Sequence, residues 1–165
     1  MGTPQPMKTL LILRHAKSSW NDPGVSDHDR PLNSRGKEEA PQVGLELRRR
    51  STVPDLVLSS TAKRARKTAK KVLAAGEFAC ELTLLPELYL ASPGTWLTVL
   101  QSQANHVRTL LVVGHNPGLE ELVTALTGQH VAMCTAALAE IQLPIEQWTE
   151  LAAPAEYSLA SVWRP

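Results

Sequence analysis

The 165-residue chain is long enough for one substantial core. At 43% hydrophobic and 20% charged residues it has the balance of a globular domain, not of a disordered or membrane-embedded one. Seventeen Lys and Arg against sixteen Asp and Glu leave a formal charge of +1, unlike the basic surplus of a dedicated nucleic-acid binder, although residues 1–75 carry fifteen basic and seven acidic side chains and residues 76–165 only two and nine.

In chain order, residues 1–7 lack a charged segment followed by an apolar one and read as a flexible N-terminus without a secretory signal, which predicts a cytoplasmic protein. Residues 8–165 read as a single domain. Thr9-Leu10-Leu11-Ile12-Leu13 is a short apolar run of the kind buried in a parallel sheet, and Leu56-Val57-Leu58 and Thr109-Leu110-Leu111-Val112-Val113 repeat the pattern. Between the first two runs, Ser34 can cap a helix reaching about Arg50 with Leu45 facing inward, and Pro41 should remove one backbone hydrogen bond. Ala62, Ala65, Ala69, Val72 and Leu73 form the apolar stripe of a second helix ending near Gly76. A third is expected from Thr95 to about Gln103. A fourth should start with Asn116 as cap and Pro117 at the first helical position, then run through Leu119, Leu122, Val123 and Leu126 to Gly128. Ala136–Leu143 and Tyr157–Trp163 read as late strands joined through 144–154. No stretch approaches the ~20 apolar residues that cross a bilayer. Cys80 and Cys134 form no C-x-x-C pair and read as small core residues.

Alternating strands and helices predict an α/β fold, a three-layer α/β/α sandwich with a mostly parallel central sheet. Sites in such folds lie at the carboxyl ends of strands. Three strand ends carry polar residues together: Arg14-His15, then Ser59-Ser60 leading to Arg64, then Gly114-His115-Asn116. Arg64 lies near a helix start, where the macrodipole disfavours a cation unless an anion offsets it. Two His and two Arg at adjacent strand ends suit phosphoryl transfer: one imidazole attacks phosphorus while the cations neutralise the equatorial oxygens. This chemistry needs no metal or other cofactor, and no ligand-spaced His or carboxylate cluster stands out. Lys67, Lys70 and Lys71 continue along the helix as a solvated face. Arg48–Arg50 and Lys67–Lys71 are either solvated surface or a steering field toward an acidic partner.

Leu13-Arg14-His15-Ala16 resembles the Arg-His-Gly signature of the histidine phosphatase, or phosphoglycerate mutase-like, superfamily, with Ala16 in place of the usual Gly. The resemblance continues through Asp29-Arg30-Pro31-Leu32 with Gly36, the Ser-x3-Arg-Ala-x2-Thr run from Ser60 to Thr68, Leu85-Pro86-Glu87-Leu88, and Val113-Gly114-His115-Asn116-Pro117. With the short length, these motifs look like those of a SixA-type phosphohistidine phosphatase. The resemblance implies that His15 is a nucleophile that becomes phosphorylated, and that Arg14, Arg64 and His115 hold the phosphoryl group. It implies that Arg30 lies at the substrate edge, and Ser18-Ser19-Trp20-Asn21 fits the mutase Ser-x-Trp-Asn pattern, which would bring Ser18 and Asn21 to the phosphate. Trp20 is then a packing residue or pocket wall. Glu87 is the one carboxylate in the motif region of a general acid, and it reads equally as a substrate contact or a turn cap.

The implied partner is a phosphorylated protein carrying phosphohistidine, with phosphate or another oxyanion in the pocket and neither nucleic acid nor membrane involved. The alternatives are the same His15 chemistry on a small phosphoester or nucleotide, and a non-catalytic phosphate-binding adaptor.

Overall fold

The computed structural model describes residue 2 and residues 7–165. The expected flexible N-terminus therefore lies mostly outside the described residues. Six strands form one sheet: β1 (Lys8–Arg14), β2 (Leu56–Ser60), β3 (Glu81–Leu85), β4 (Thr109–Gly114), β5 (Leu138–Leu143) and β6 (Ser158–Trp163). Their order is β3-β2-β4-β1-β5-β6. The contacts β3/β2, β2/β4 and β4/β1 are parallel, and β5 runs antiparallel to both β1 and β6. Four helices complete the three layers: α1 (Ser34–Arg49), α2 (Lys63–Gly76), α3 (Pro93–Gln101) and α4 (Gly118–Thr127). None of the described helices is long and apolar enough to cross a membrane.

Strand side chains alternate between the two faces of a sheet. Leu10, Ile12, Leu110 and Val112 share one core with residues of α3 and α4, while Leu11, Leu13, Leu111 and Val113 share another with residues of α1 and α2. Burial on both faces explains why these strands are apolar without interruption. The α1/α2 layer is tight. A Cβ on Gly44 would lie 2.3 Å from the Val72 carbonyl oxygen, so only glycine lets the two helices approach this closely.

Several local expectations are corrected. Asn33, not Ser34, caps α1, its side chain accepting from the Gly36 amide at 2.9 Å. The buried stripe of α1 is Gly36, Ala40, Val43, Gly44 and Leu47, which turns Leu45 outward at 54% exposure. Pro41 lies inside α1, which runs on to Arg49 as expected. Asn116 does not cap α4, because its side-chain amide donates instead to Glu120 Oε1 (3.0 Å) and the Met133 carbonyl (2.8 Å); Pro117 occupies the cap position. Cys134 is exposed rather than buried, and Cys80 is half-buried.

The connection between β5 and β6 folds inward. Trp148 is buried there and donates to the Val107 carbonyl at 2.9 Å, beside a fully buried Lys8 whose Nζ donates to the Asn105 and Val107 carbonyls at 2.8 Å each. A buried ammonium is tolerated because its protons find carbonyl oxygens.

Candidate active site

Because β4 lies between β1 and β2, the carboxyl ends of these three strands are neighbours. Arg14 is in register with Gly114, and the His15 amide donates to the Gly114 carbonyl at 3.1 Å. Arg14, His15, Ser18, Arg30, Arg64 and His115 thereby line one cavity of about 190 Å³, walled also by Lys17, Trp20, Leu90, Asn116 and Thr135. No carboxylate is among these walls.

His15 is 6% exposed, and its Nδ1 lies 2.7 Å from the Ala16 carbonyl oxygen. A carbonyl can only accept, so Nδ1 carries the proton and Nε2 presents a lone pair. Arg64 Nε–H donates to that Nε2 at 3.3 Å. Burial lowers the His15 pKa to about 4, and the Arg64, Arg14 and Arg30 guanidiniums push in the same direction. The ring is neutral at pH 7, as an attacking nitrogen must be. His115 stands 5.2 Å from His15 between ring centroids, with its pKa lowered to about 3, first by burial and then by His15. Its Nε2 is 2.8 Å from Ser60 Oγ, which also accepts from the Ala62 amide, and its buried Nδ1 has no partner.

The guanidiniums are fixed from behind. Arg64, on the first turn of α2, sends Nη1 to the Asp27 carbonyl (2.6 Å) and Nη2 to Asp27 Oδ2 (3.1 Å). Arg30 donates from Nε to Asp27 Oδ1 (3.0 Å) and from Nη1 to Ser18 Oγ (2.7 Å), and its guanidinium lies 3.5 Å over the centre of the Trp20 ring. Arg14 Nη1 donates to the Met133 carbonyl at 3.1 Å, leaving a buried Nε without a partner. Thr68 ties the segment after β1 to α2: its hydroxyl accepts from the Ala16 amide (3.0 Å) and donates to the Arg64 carbonyl (2.7 Å). The result is a small cavity rich in cations and donors, with a neutral imidazole at its floor. It can bind a tetrahedral oxyanion and bring a nitrogen nucleophile to it.

Six of the eight expected site residues meet here, and two do not. Asn21 is exposed outside the cavity, its amide held by Ser19 Oγ. Glu87 sits exposed on a 3-10 turn (Pro86–Leu88) after β3 and borders a different concavity with Asp55, Val99 and His106. The sequence reading missed Asp27 and Tyr89. Asp27 comes from a 3-10 turn (Asp27–Asp29) and accepts from the Tyr89 hydroxyl as well as from both arginines. The Tyr89 hydrogen bond is the largest cause, opposed by some burial and aided by Arg30 and Arg64, of an Asp27 pKa near 2. Tyr89 also packs edge-on to His115, with ring centroids 5.5 Å apart. A Ser-x-x-Asp spacing from Ser26 to Asp29, with Asp27 three residues before Arg30, was the available signal for this turn.

A family model for the histidine phosphatase superfamily (branch 1) matches residues 10–106. An uncharacterised chloroplastic protein of Arabidopsis thaliana is 32% identical over 170 residues, covering 96% of this chain and 78% of that one. Among solved structures, one assigned as the phosphohistidine phosphatase SixA of Agrobacterium tumefaciens superposes with a TM-score of 0.83 at 30% identity, covering 96% of this chain and 98% of that one. The protein histidine phosphatase SixA complexed with tungstate gives 0.74 at 28% identity, covering 81% and 86%.

Proposed function

The chain belongs to the histidine phosphatase superfamily, branch 1, and is of its SixA type, and from that membership we propose that it hydrolyses phosphohistidine on a partner protein with His15 as the nucleophile. Phosphatase activity comes with the family. The substrate and the roles of individual residues are inferred from the pocket.

In the first step His15 Nε2 attacks phosphorus in place of its contact with Arg64 Nε. A new N–P bond forms, the substrate's N–P bond breaks, and the electron pair leaves with the substrate imidazole. Arg14, Arg64 and His115 hold the three equatorial oxygens, with Arg30 and Ser18 at the outer edge. In the second step water attacks phospho-His15, releasing inorganic phosphate and restoring the neutral ring. The contacts of Arg64 with Asp27 and of His115 with Ser60 support these roles.

One observation carries the choice of substrate: the pocket holds no carboxylic acid able to protonate a poor leaving group. Asp27 has a pKa of about 2 and is ionised at neutral pH, and Glu87 stands elsewhere. An ester would expel an alkoxide, whose conjugate acid is about as weak as water at roughly 15.7. Phosphohistidine protonated on its other ring nitrogen instead departs as neutral imidazole, whose conjugate acid has a pKa of about 6.5. The pocket is matched to the second. Phosphate release from a phosphohistidine protein, compared with a panel of phosphate esters, tests the reading. Higher kcat/KM on the phosphohistidine protein is expected, and preference for the esters overturns it.

A further inference from the structure

Beside the cavity runs a groove of about 360 Å³ lined by Pro31, Leu32, Lys37, Lys63, Lys67 and Lys71. We propose that this groove binds an extended acidic segment flanking the phosphohistidine, an inference that rests on the substrate reading above and specifies which surface of the partner the protein engages.

Three observations support an acidic occupant. First, no carboxylate lines the groove, and among the described residues every ion pair is made by Arg or His and none by Lys. Four arginines of the N-terminal half behave differently: Arg35 pairs with Glu39, Arg48 with Glu77, Arg49 with Glu46, and Arg50 with Glu46 and Glu140. The paired arginines are surface structure, whereas the groove lysines are left with their charge unmatched.

Second, the arrangement works against its own helix. Lys63, Lys67 and Lys71 follow one another at i, i+4 spacing, where like charges repel. Lys63 also opens α2, whose first turn contains no acidic residue and whose cap residue Ala62 makes no side-chain hydrogen bond. Cations there oppose the macrodipole. Asp29 feels the Lys63 charge but makes its own hydrogen bonds to Ser26 and His28. An arrangement that costs the helix stability, with no internal partner, is suited to an external anion.

Third, the chain links the groove to the catalytic cavity: Pro31 follows Arg30, and Lys63 precedes Arg64. From Lys63 to Lys71 the helix rises about 12 Å. An extended chain covers that distance in about four residues. The floor supplied by buried Leu32 and half-buried Pro31 offers contact for the stems of Glu or Asp side chains while the lysines meet their carboxylates.

The test uses synthetic phosphohistidine peptides identical except for four Glu or four Ala on each side of the phosphorylated residue, with the full chain and its Lys67→Glu/Lys71→Glu variant. The wild type is expected to favour the Glu peptide by about tenfold in kcat/KM at low salt, with the preference shrinking as salt rises. The variant should lose that preference and keep its kcat/KM on the Ala peptide within about twofold, since neither lysine lines the cavity. Equal rates on the two peptides with wild type, or an equal loss on both in the variant, overturn the groove assignment and leave the substrate reading standing. Stronger competition by single-stranded RNA than by an unphosphorylated Glu peptide also overturns it. Failure to hydrolyse either peptide, with esters turned over, removes the substrate reading and this inference together.

Discussion

Arg64 Nε–H points at His15 Nε2 across 3.3 Å, so the nitrogen proposed to attack phosphorus spends the unliganded state accepting a hydrogen bond from a group proposed to hold the phosphate. The contact fixes the ring with its lone pair toward the cavity. The Ala16 carbonyl holds the proton on the opposite nitrogen.

From that relationship, His15→Ala should abolish turnover, while the wild type quenched during reaction should carry an alkali-stable, acid-labile phosphate on His15. Arg64→Ala should lower kcat by roughly 10²–10³, the usual cost of one transition-state donor. Mass spectrometry of the quenched enzyme and steady-state rates check both. A wild-type enzyme that never labels at His15 would remove the nucleophile assignment.

Burial sets the pH behaviour. With His15 lowered to about 4, its protonation should limit kcat/KM only as pH approaches that value, not near the ordinary 6.5, once substrate ionisation is corrected for. Stability follows a separate sign. In the unfolded chain His15 and His115 take up protons as pH falls through about 6.5, whereas in the folded protein they resist until about 4 and about 3. The unfolded state therefore binds more protons in that window. The urea midpoint should fall as pH drops from 7 to 4.5, and these two rings should contribute no further gain above pH 7.

Asp27 and Glu87 should separate cleanly. Asp27→Asn preserves shape but removes the charge that partly neutralises Arg30 and Arg64, so inorganic phosphate should inhibit at a concentration roughly three- to tenfold lower. Unchanged phosphate inhibition would mean that the carboxylate field does not reach the bound anion. Glu87→Gln should alter kcat/KM by less than about twofold on either class of substrate, since an exposed side chain bordering another concavity exchanges no proton with the cavity.

In the scaffold, Gly44→Ala should cost about 1–3 kcal/mol through the clash between α1 and the Val72 carbonyl. Thermal unfolding measures the loss. Activity per folded molecule should be retained, because Gly44 lies away from the cavity walls.

The strands that build the site were legible because the middles of β1 and β4, residues 10–13 and 110–113, are buried on both faces and are apolar throughout. The sheet edge was not: every residue of β3 is exposed or half-buried, and Glu81 and Thr83 interrupt its leucines. The α1 face was misread for a related reason. Three of its five buried residues, Gly36, Ala40 and Gly44, are small and carry little hydrophobic signal, while the conspicuous Leu45 points to solvent. In the cavity, residues attached directly to strand ends were found by position, but Asp27 and Tyr89 arrive on short turns with no periodicity and meet only in the folded chain. Glu87 drew attention as a carboxylate near a motif, and the 3-10 turn that carries it faces it away while placing Tyr89, two residues on, toward His115.

Of the four tryptophans, Trp96 and Trp148 are buried and Trp163 is half-buried, whereas Trp20 is 72% exposed with the Arg30 guanidinium stacked on its ring at the rim of the cavity. An anion that draws Arg30 inward must change the charge over that indole. Phosphate titration is expected to change the emission of the wild type and to leave that of Trp20→Phe, which keeps Trp96, Trp148 and Trp163, unchanged, so that bound and empty enzyme are distinguished without any label.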